Sequence, residues 1–171
     1  MNFPDTMEAY ALDPTPEHLE ALHREITAAP SYNPMVAITQ IVTPLEKAGD
    51  HQGVIDALWA QMPGIFLSPA AHMHLSQAYA ALGEDADATR ERKFALLAMD
   101  SIRTAGEGTE ESPCPVLRVE DEYTVLAAER RRSTAQELVP TENGECDVHT
   151  LEDGTQVWFR LLWRTAQPTG A

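Results

Sequence analysis

The sequence predicts an α+β fold, in which antiparallel helical hairpins pack on a small antiparallel sheet that carries one helix. Apolar residues recur at helical spacing through the first hundred residues. Gly49 and Gly83 each close such a segment and lie 83 − 49 = 34 residues apart, the period of the tetratricopeptide repeat. Towards the C-terminus the pattern alternates and is interrupted by Asn143-Gly144 and Asp153-Gly154, dipeptides typical of β-hairpin turns.

We expect two regions, a helical repeat-like region over 1–105 and a small α/β cap over 106–171. The run from Phe94 to Met99 has almost no polar face, which predicts that it is buried on several sides and contacts the cap. A sheet this short buries little apolar surface by itself. The sequence therefore predicts one cooperative unit.

The composition restricts the kinds of partner. The chain has 27 acidic and 12 basic residues, a formal charge of −15 at pH 7. Such a field repels phosphate backbones, so a nucleic-acid partner is not expected. A basic protein is the electrostatically complementary partner. The sequence does not indicate an oligomeric state.

The N-terminus and the cysteines bear on the compartment. Met1 to Asp13 has neither a basic start nor an apolar run, so we expect no signal peptide, no membrane span and a cytoplasmic protein. Cys114 and Cys146 cannot build the disulfide framework of a small secreted domain, which agrees with a reducing compartment. We interpret both as small buried side chains.

Capping side chains followed by proline predict the starts of three helices, at Thr15-Pro16, Asn33-Pro34 and Ser68-Pro69. Met1 to Asp13, before the first of them, is predicted as a tail that packs loosely. Its apolar contacts would come from three side chains, Phe3, Tyr10 and Leu12.

Two further helices complete five in the helical region. Asp50 is expected to cap a helix that ends at Pro63-Gly64. The last helix is predicted from Asp85 to Ile102. Pro44 interrupts the helix that follows Pro34, because proline removes one backbone hydrogen bond and crowds the preceding turn. We therefore expect a kink near Gln40 or a break before Thr43.

The C-terminal third is predicted to begin with a linker, Gly106-Glu107-Gly108-Thr109, rich in glycine and acid. A helix from Glu120 to Arg132 starts with acids and ends with arginines, as the helix dipole favours. The strands are expected at Pro115–Val119, Ala135–Val139, Glu145–Thr150 and Thr155–Leu162. On the last strand, Val157, Phe159 and Leu161 should share one face, and Trp158 and Leu162 the other.

A set of short motifs resembles a bacterial family of domains of unknown function, family 4919, in which a small helical-repeat segment precedes a compact β-containing unit. The resemblance covers about Pro34 to Leu162. The matching residues are Tyr32-Asn33-Pro34, Gly106-Glu107-Gly108-Thr109, Asp121-Glu122-Tyr123, Gln136, Leu138, Asp147-Val148, Gly154 and Trp158-Phe159. Family members often follow the last aromatic with asparagine, where this chain has Arg160. The resemblance implies a fold and no activity.

The histidines and cysteines do not predict a metal site or a cofactor. His72 and His74 are two residues apart on a helix, so their side chains point about 200° apart around its axis and cannot chelate together. A site that adds Cys114 or Cys146 lacks zinc-type ligand spacing. We expect no metal and no cofactor.

The densest polar cluster is Asp121, Glu122 and Tyr123, near the start of the predicted helix. Paired carboxylates perform acid–base catalysis when one of them is desolvated. Acids in a first helical turn more often stay solvated and stabilise the helix dipole, and we favour that interpretation. Arg130, Arg131 and Arg132 could hold an acidic partner, but a solvated helix end is the more usual role of such a run.

Three functions are compatible with these observations. The leading prediction is a non-enzymatic protein–protein interaction module that binds a basic partner through an acidic helical surface. A narrower version is an immunity or inhibitor protein for a basic toxin. The competing class is an enzyme that uses Asp121, Glu122 and Tyr123.

Overall fold

The computed structural model describes residues 3–164 and confirms a mixed α+β fold. The chain divides into two compact units, Met1–Ser101 and Ile102–Ala171. The first unit is helical, and the second contains the sheet. No helix among the described residues is long and apolar enough to cross a membrane.

Six helices begin within the described residues of the first unit. They are α1 (Phe3–Leu12), α2 (Pro16–Ala28), α3 (Ile38–Lys47), α4 (His51–Trp59), α5 (Pro69–Ala81) and α6 (Asp85–Arg103).

Side-chain caps fix three of these helix starts. The hydroxyl of Thr15 accepts from the amide of His18, Ser68 from Ala71, and the carboxylate of Asp50 from Gly53. These starts are confirmed, whereas the start predicted at Asn33-Pro34 is wrong. The Asn33 side chain accepts from the amide of Met35 in a turn, and α3 begins only at Ile38.

The segment predicted as an N-terminal tail forms helix α1. The described part of the first unit therefore has six helices, where the sequence predicted five. The ring of Phe3 in α1 packs edge-on against Phe66 with centroids 5.3 Å apart, and Tyr10 is buried. Leu12, the third expected contact, is 79% exposed. Contacts with residues distant in sequence therefore order a segment whose own sequence is short of helix signals.

Pro44 does not break α3, which runs through it to Lys47. A proline lacks only its own amide hydrogen, so the helix continues once its apolar face is packed. That face contributes Ile38 and Val42 to a core shared with α4 and α5. Gly49 and Gly83 take the left-handed conformation, with φ of +70° and +78°, as predicted for residues that end helices.

A buried ion pair links α5 to α6. The Nδ1 atom of His72 lies 2.7 Å from the Oε2 atom of Glu91, and both side chains are only 1% exposed. The other ring nitrogen of His72 donates to the carbonyl of Phe66. Burial alone would raise the pKa of Glu91, but the hydrogen bonds and charges of His72 and Arg90 outweigh it and hold that pKa below its usual value.

The run from Phe94 to Met99 is not buried on all sides. Ala95 and Ala98 are buried, but Leu96 is 61% exposed. Successive side chains of a helix point in different directions around its axis. An uninterrupted apolar run therefore does not imply that every face of the helix is buried.

The second unit contains one helix and four strands among its described residues. They are β1 (Cys114–Val116), α7 (Val119–Ala128), β2 (Ser133–Thr141), β3 (Gly144–Leu151) and β4 (Gln156–Leu161). The predicted helix to Arg132 is four residues too long, because Arg130 adopts the left-handed conformation with φ of +56°.

The strand order is β1-β4-β3-β2. The antiparallel meander of β2, β3 and β4 is confirmed, and both hairpin dipeptides lie in its turns. β1 pairs with β4 in parallel, an arrangement that the sequence does not predict. Val157, Phe159 and Leu161 are buried on one face of β4, as expected, while Trp158 lies on the other.

The segment predicted as a linker, Gly106-Glu107-Gly108-Thr109, is folded against the sheet. The amides of Glu107, Gly108 and Thr109 all donate to the carbonyl of Ser112, and the carbonyl of Gly108 accepts from the amide of Trp158 at 3.0 Å. These hydrogen bonds hold the segment beside β4.

The buried pair between α5 and α6 gives a first testable prediction. Replacing Glu91 by Gln leaves His72 without its carboxylate, and we expect the free energy of unfolding to fall by about 3–5 kcal/mol. The wild type should also lose stability as the pH falls through the depressed pKa of Glu91, a loss that Glu91→Gln should lack. Urea denaturation at neutral and acid pH measures both effects. Glu84→Gln, at an exposed position, is the control, and equal stability of the two variants would contradict the prediction.

Candidate functional site

The register of β3 places two polar side chains on the covered face of the sheet. Asp147 pairs with Phe159 and His149 with Val157, so all four side chains share one face. Asp147 is 7% exposed and His149 is fully buried. Helix α7 reaches this face through Glu122, which contacts His149.

His149 links Glu122 of α7 to Ser133 of β2 through hydrogen bonds. Its Nε2 atom lies 2.8 Å from the Oε2 atom of Glu122, and its Nδ1 atom lies 2.9 Å from the hydroxyl of Ser133 at the start of β2. Glu122 is fully buried and Ser133 is half-buried. The three side chains form an unbroken chain of hydrogen bonds from the interior to the surface.

A second chain of hydrogen bonds ends at Asp147. The Nε2 atom of Gln136 donates to the Oδ2 atom of Asp147 at 2.7 Å. The hydroxyl of Tyr123, a residue that is 47% exposed, donates to the Oε1 atom of Gln136. We call Glu122, Tyr123, Ser133, Gln136, Asp147 and His149 the polar cluster.

Glu122 holds its proton in this environment. Desolvation, followed by the negative charges of Asp147 and Asp121 and a hydrogen bond with Asp147, raises its pKa to about 9. The buried Oε1 atom of Glu122 receives no hydrogen bond from a donor. A protonated carboxyl carries one oxygen that does not need the several donors a buried carboxylate would require, which agrees with the raised pKa.

Asp121 is buried next to the polar cluster with a different partner. Its Oδ2 atom lies 3.5 Å from the Nε atom of Arg118, and the two side chains are 1% and 0% exposed. Burial raises the pKa of Asp121 to about 6, although the positive charge of Arg118 opposes the rise. The two adjacent acids of α7 therefore occupy separate buried sites.

A cleft of about 590 Å³ opens beside the polar cluster. Its lining residues come from the end of α7, the following turn and the start of β2. They are Tyr123, Leu126, Ala127, Arg130, Arg131, Arg132 and Ser133. We call this space the arginine cleft.

Two of the cleft arginines already contact carboxylates. Arg131 lies 3.5 Å from Glu129, and Arg132 lies 3.4 Å from Glu152. The positive charge of Arg131 also acts on Asp153, and Glu129 is shared with Arg103 at 3.3 Å. The structure gives Arg130 no ion pair among the described residues.

The structure corrects the favoured interpretation of the acid cluster. The side chains of Asp121 and Glu122, both on α7, do not stay solvated, since both are buried. Arg130, Arg131 and Arg132 do not form a helix end, because α7 stops at Ala128. Tyr123 and the three arginines meet instead in one cleft, and Val125 and Leu126 point inward as predicted.

The remaining candidate residues have local partners. His74 lies 2.6 Å from the Oε1 atom of Glu46, and His72 is held by Glu91. Cys114 and Cys146 are free thiols and are buried, as expected. Within residues 3–164, no three His, Cys, Asp or Glu side chains are grouped so as to hold a metal ion.

Sequence reasoning missed Ser133 and His149. In Cys146-Asp147-Val148-His149 the apolar and polar residues alternate, a pattern that normally directs the polar pair to solvent. Here both faces of β3 are buried, so the polar pair is enclosed. The available signal was that Asp147 and His149 share their face with the apolar residues of β4.

The protonated carboxyl predicts a specific dependence of stability on pH. Between about pH 7 and pH 9 the folded protein keeps the proton of Glu122, whereas the unfolded chain has lost it, so the free energy of unfolding should fall as the pH rises. Glu122→Gln keeps a neutral group and should remove this part of the fall, an effect of about 2 kcal/mol between the two pH values.

Urea denaturation at both pH values tests this, with Glu137→Gln on the exposed strand β2 as the control. The interpretation is wrong if the wild type and Glu122→Gln lose the same stability between the two pH values.

Comparisons with known proteins do not indicate a function. The sequence matches no protein-family model, and neither the curated proteins nor the solved structures provide a significant match. The resemblance to family 4919 therefore stays a prediction. Its residues Glu122, Tyr123, Gln136 and Asp147 nevertheless meet in the polar cluster.

Proposed function

We propose that the helical unit is a protein-interaction module that binds a basic partner through its acidic surface. Residues 1–101 contain 14 acidic and 5 basic residues, a formal charge of 5 − 14 = −9. Helix α1 packs against α2, and α4 packs against both α3 and α5, in the manner of repeats that present extended binding surfaces. Such a charge steers basic partners and repels acidic ones.

The observation that carries this proposal is a half-exposed tryptophan held in place beside an acid. Trp59 is 45% exposed, and its indole Nε1 donates to the hydroxyl of Tyr79 at 3.0 Å. Asp56 lies three residues earlier on α4 and therefore on the same side of the helix, where Gln52 donates to it at 2.9 Å. A fixed aromatic face next to a carboxylate is well suited to a lysine or arginine side chain.

A small depression nearby offers space for a second side chain. It has a volume of about 210 Å³, and its polar lining residues are Glu46, His51 and Gln77 from three successive helices. Glu46 is one acid of this lining, and it also contacts His74. The two features give α4 and its neighbours an acidic surface with defined places for basic side chains.

The proposal predicts that Trp59→Ala weakens binding of a basic peptide about fivefold, because one cation–aromatic contact at an exposed site contributes about 1 kcal/mol. The probe is an amidated peptide rich in lysine and arginine, and affinity is measured by calorimetry at two salt concentrations. Met73→Ala removes another exposed apolar side chain of the same unit and is the matched control.

Wild-type binding should weaken as salt increases, and a glutamate-rich peptide should not bind. Absence of wild-type binding, or equal losses in Trp59→Ala and Met73→Ala, would contradict the proposal.

A further inference from the structure

We propose that Ser133 and His149 form a hydrolytic site in the second unit, which cleaves carboxylic esters of negatively charged molecules bound in the arginine cleft. This activity is separate from partner binding by the helical unit and uses different residues. Ser133 is the nucleophile, His149 is the general base, and Glu122 positions His149.

The hydrogen bonds place the base next to the nucleophile. His149 Nδ1 lies 2.9 Å from the Ser133 hydroxyl, within the range for proton transfer. The Ser133 hydroxyl donates to the carbonyl of Ala135 at 3.0 Å, so it must rotate away from that carbonyl before its proton can move to His149. When His149 Nε2 donates to Glu122 Oε2, the Nδ1 atom keeps its lone pair and can accept that proton. The hydrogen bond between Glu122 and Asp147 requires a proton on one of these two acids, and the raised pKa of Glu122 places it there.

The backbone around Ser133 departs from regular geometry in two places. Arg130 adopts a left-handed conformation, which costs a non-glycine residue about 1 kcal/mol or more. The pairing of β2 with β3 shifts between Ser133 and Ala135, an irregularity that redirects side chains at strand ends. Together they place Ser133 in the lining of the arginine cleft rather than in a continuous ladder.

The reaction balances with water as the only co-reactant. The Ser133 oxygen attacks the ester carbonyl carbon while its proton moves to His149 Nδ1, and the leaving alkoxide takes that proton as the carbon–oxygen bond breaks. Water then attacks the acyl-serine, His149 accepts its proton, and the proton passes to Ser133 as the acid departs. One ester and one water give one carboxylic acid and one alcohol.

The cleft determines the substrate class. Arg131 and Arg132 lie near carboxylates of this chain, whereas Arg130 lines the cleft without an ion pair among the described residues. A carboxylate or phosphate on the substrate can therefore bind there. The apolar lining of Leu126 and Ala127 fits a short hydrocarbon portion next to that charge.

The protonation of His149 supports its role as base. Burial lowers the pKa of its imidazole, and the charge of Asp147 on the same strand only partly opposes this. The other titratable groups around it are Glu122 and Tyr123 from α7. A neutral imidazole at pH 7 is the form that accepts the proton of serine.

The first experiment treats the full chain with a fluorophosphonate, which forms a phosphorus–oxygen bond with an activated serine and releases fluoride. Peptide mapping by mass spectrometry should find the adduct on Ser133 of the wild type and of Thr134→Ala, the neighbouring hydroxyl control. Ser133→Ala should give no adduct, and His149→Gln should slow labelling at least about a hundredfold.

Circular dichroism checks the fold of each variant. Because His149 is buried and its variant could unfold, wild-type labelling decides the matter independently. An unlabelled Ser133 in the folded wild type overturns the proposal, as does wild-type labelling speed in folded His149→Gln.

Two further measurements test the substrate class and the role of Glu122. The nitrophenyl hemiester of succinate should be hydrolysed at least about tenfold faster than nitrophenyl acetate at low substrate concentration, and Arg130→Ala should reduce that preference. The labelling rate of Ser133 should increase near pH 9 as Glu122 ionises, and Glu122→Gln should lack this increase. Equal hydrolysis of the two esters would overturn the anionic substrate, and an unchanged pH profile would overturn the role of Glu122. Trp59→Ala should change none of these results.

Discussion

The interaction on which the second unit depends is the contact between Glu122 of α7 and His149 of β3. Placing a carboxyl in the interior requires either a counter-charge or a proton, because an isolated buried carboxylate is very costly. Burial lowers the pKa of its partner His149, and the charged groups that act on Glu122, Asp147 and Asp121, are themselves acids, so Glu122 keeps a proton. The arrangement of Asp147, Gln136 and Ser133 follows from that choice, since each must complete the hydrogen bonds of a neutral acid and a neutral imidazole.

A buried polar network of this kind rarely improves stability over an apolar core of equal volume. The first unit illustrates the alternative, in which the buried pair of His72 and Glu91 is completed by Arg90 and contains no hydroxyl nucleophile. The network around His149 differs because it ends at a half-buried hydroxyl in the lining of a cleft. The polar network of the second unit thus reaches a surface cleft through Ser133.

Local signals in the sequence predicted what depends on local physics. The caps at Thr15, Asp50 and Ser68, and the hairpin turn at Asn143-Gly144, are determined by a few neighbouring residues. Helix α1 was missed because Phe66, far along the chain, orders it. The polar cluster was found only in part. Tyr123 and the arginines were chosen for their charge and density, whereas burial of β3 on both faces depends on the whole fold and reverses the usual meaning of its alternation.

The claim that Glu122 is a neutral acid at physiological pH can be measured directly. Carbon-13 NMR of the glutamate side-chain carboxyls, with the Glu122 signal assigned by its absence from Glu122→Gln, follows the titration of this one group. The account predicts a protonated carboxyl at neutral pH with a midpoint near pH 9, where the pKa is about 9. A midpoint close to that of a solvated glutamate, about 4.3, would contradict it.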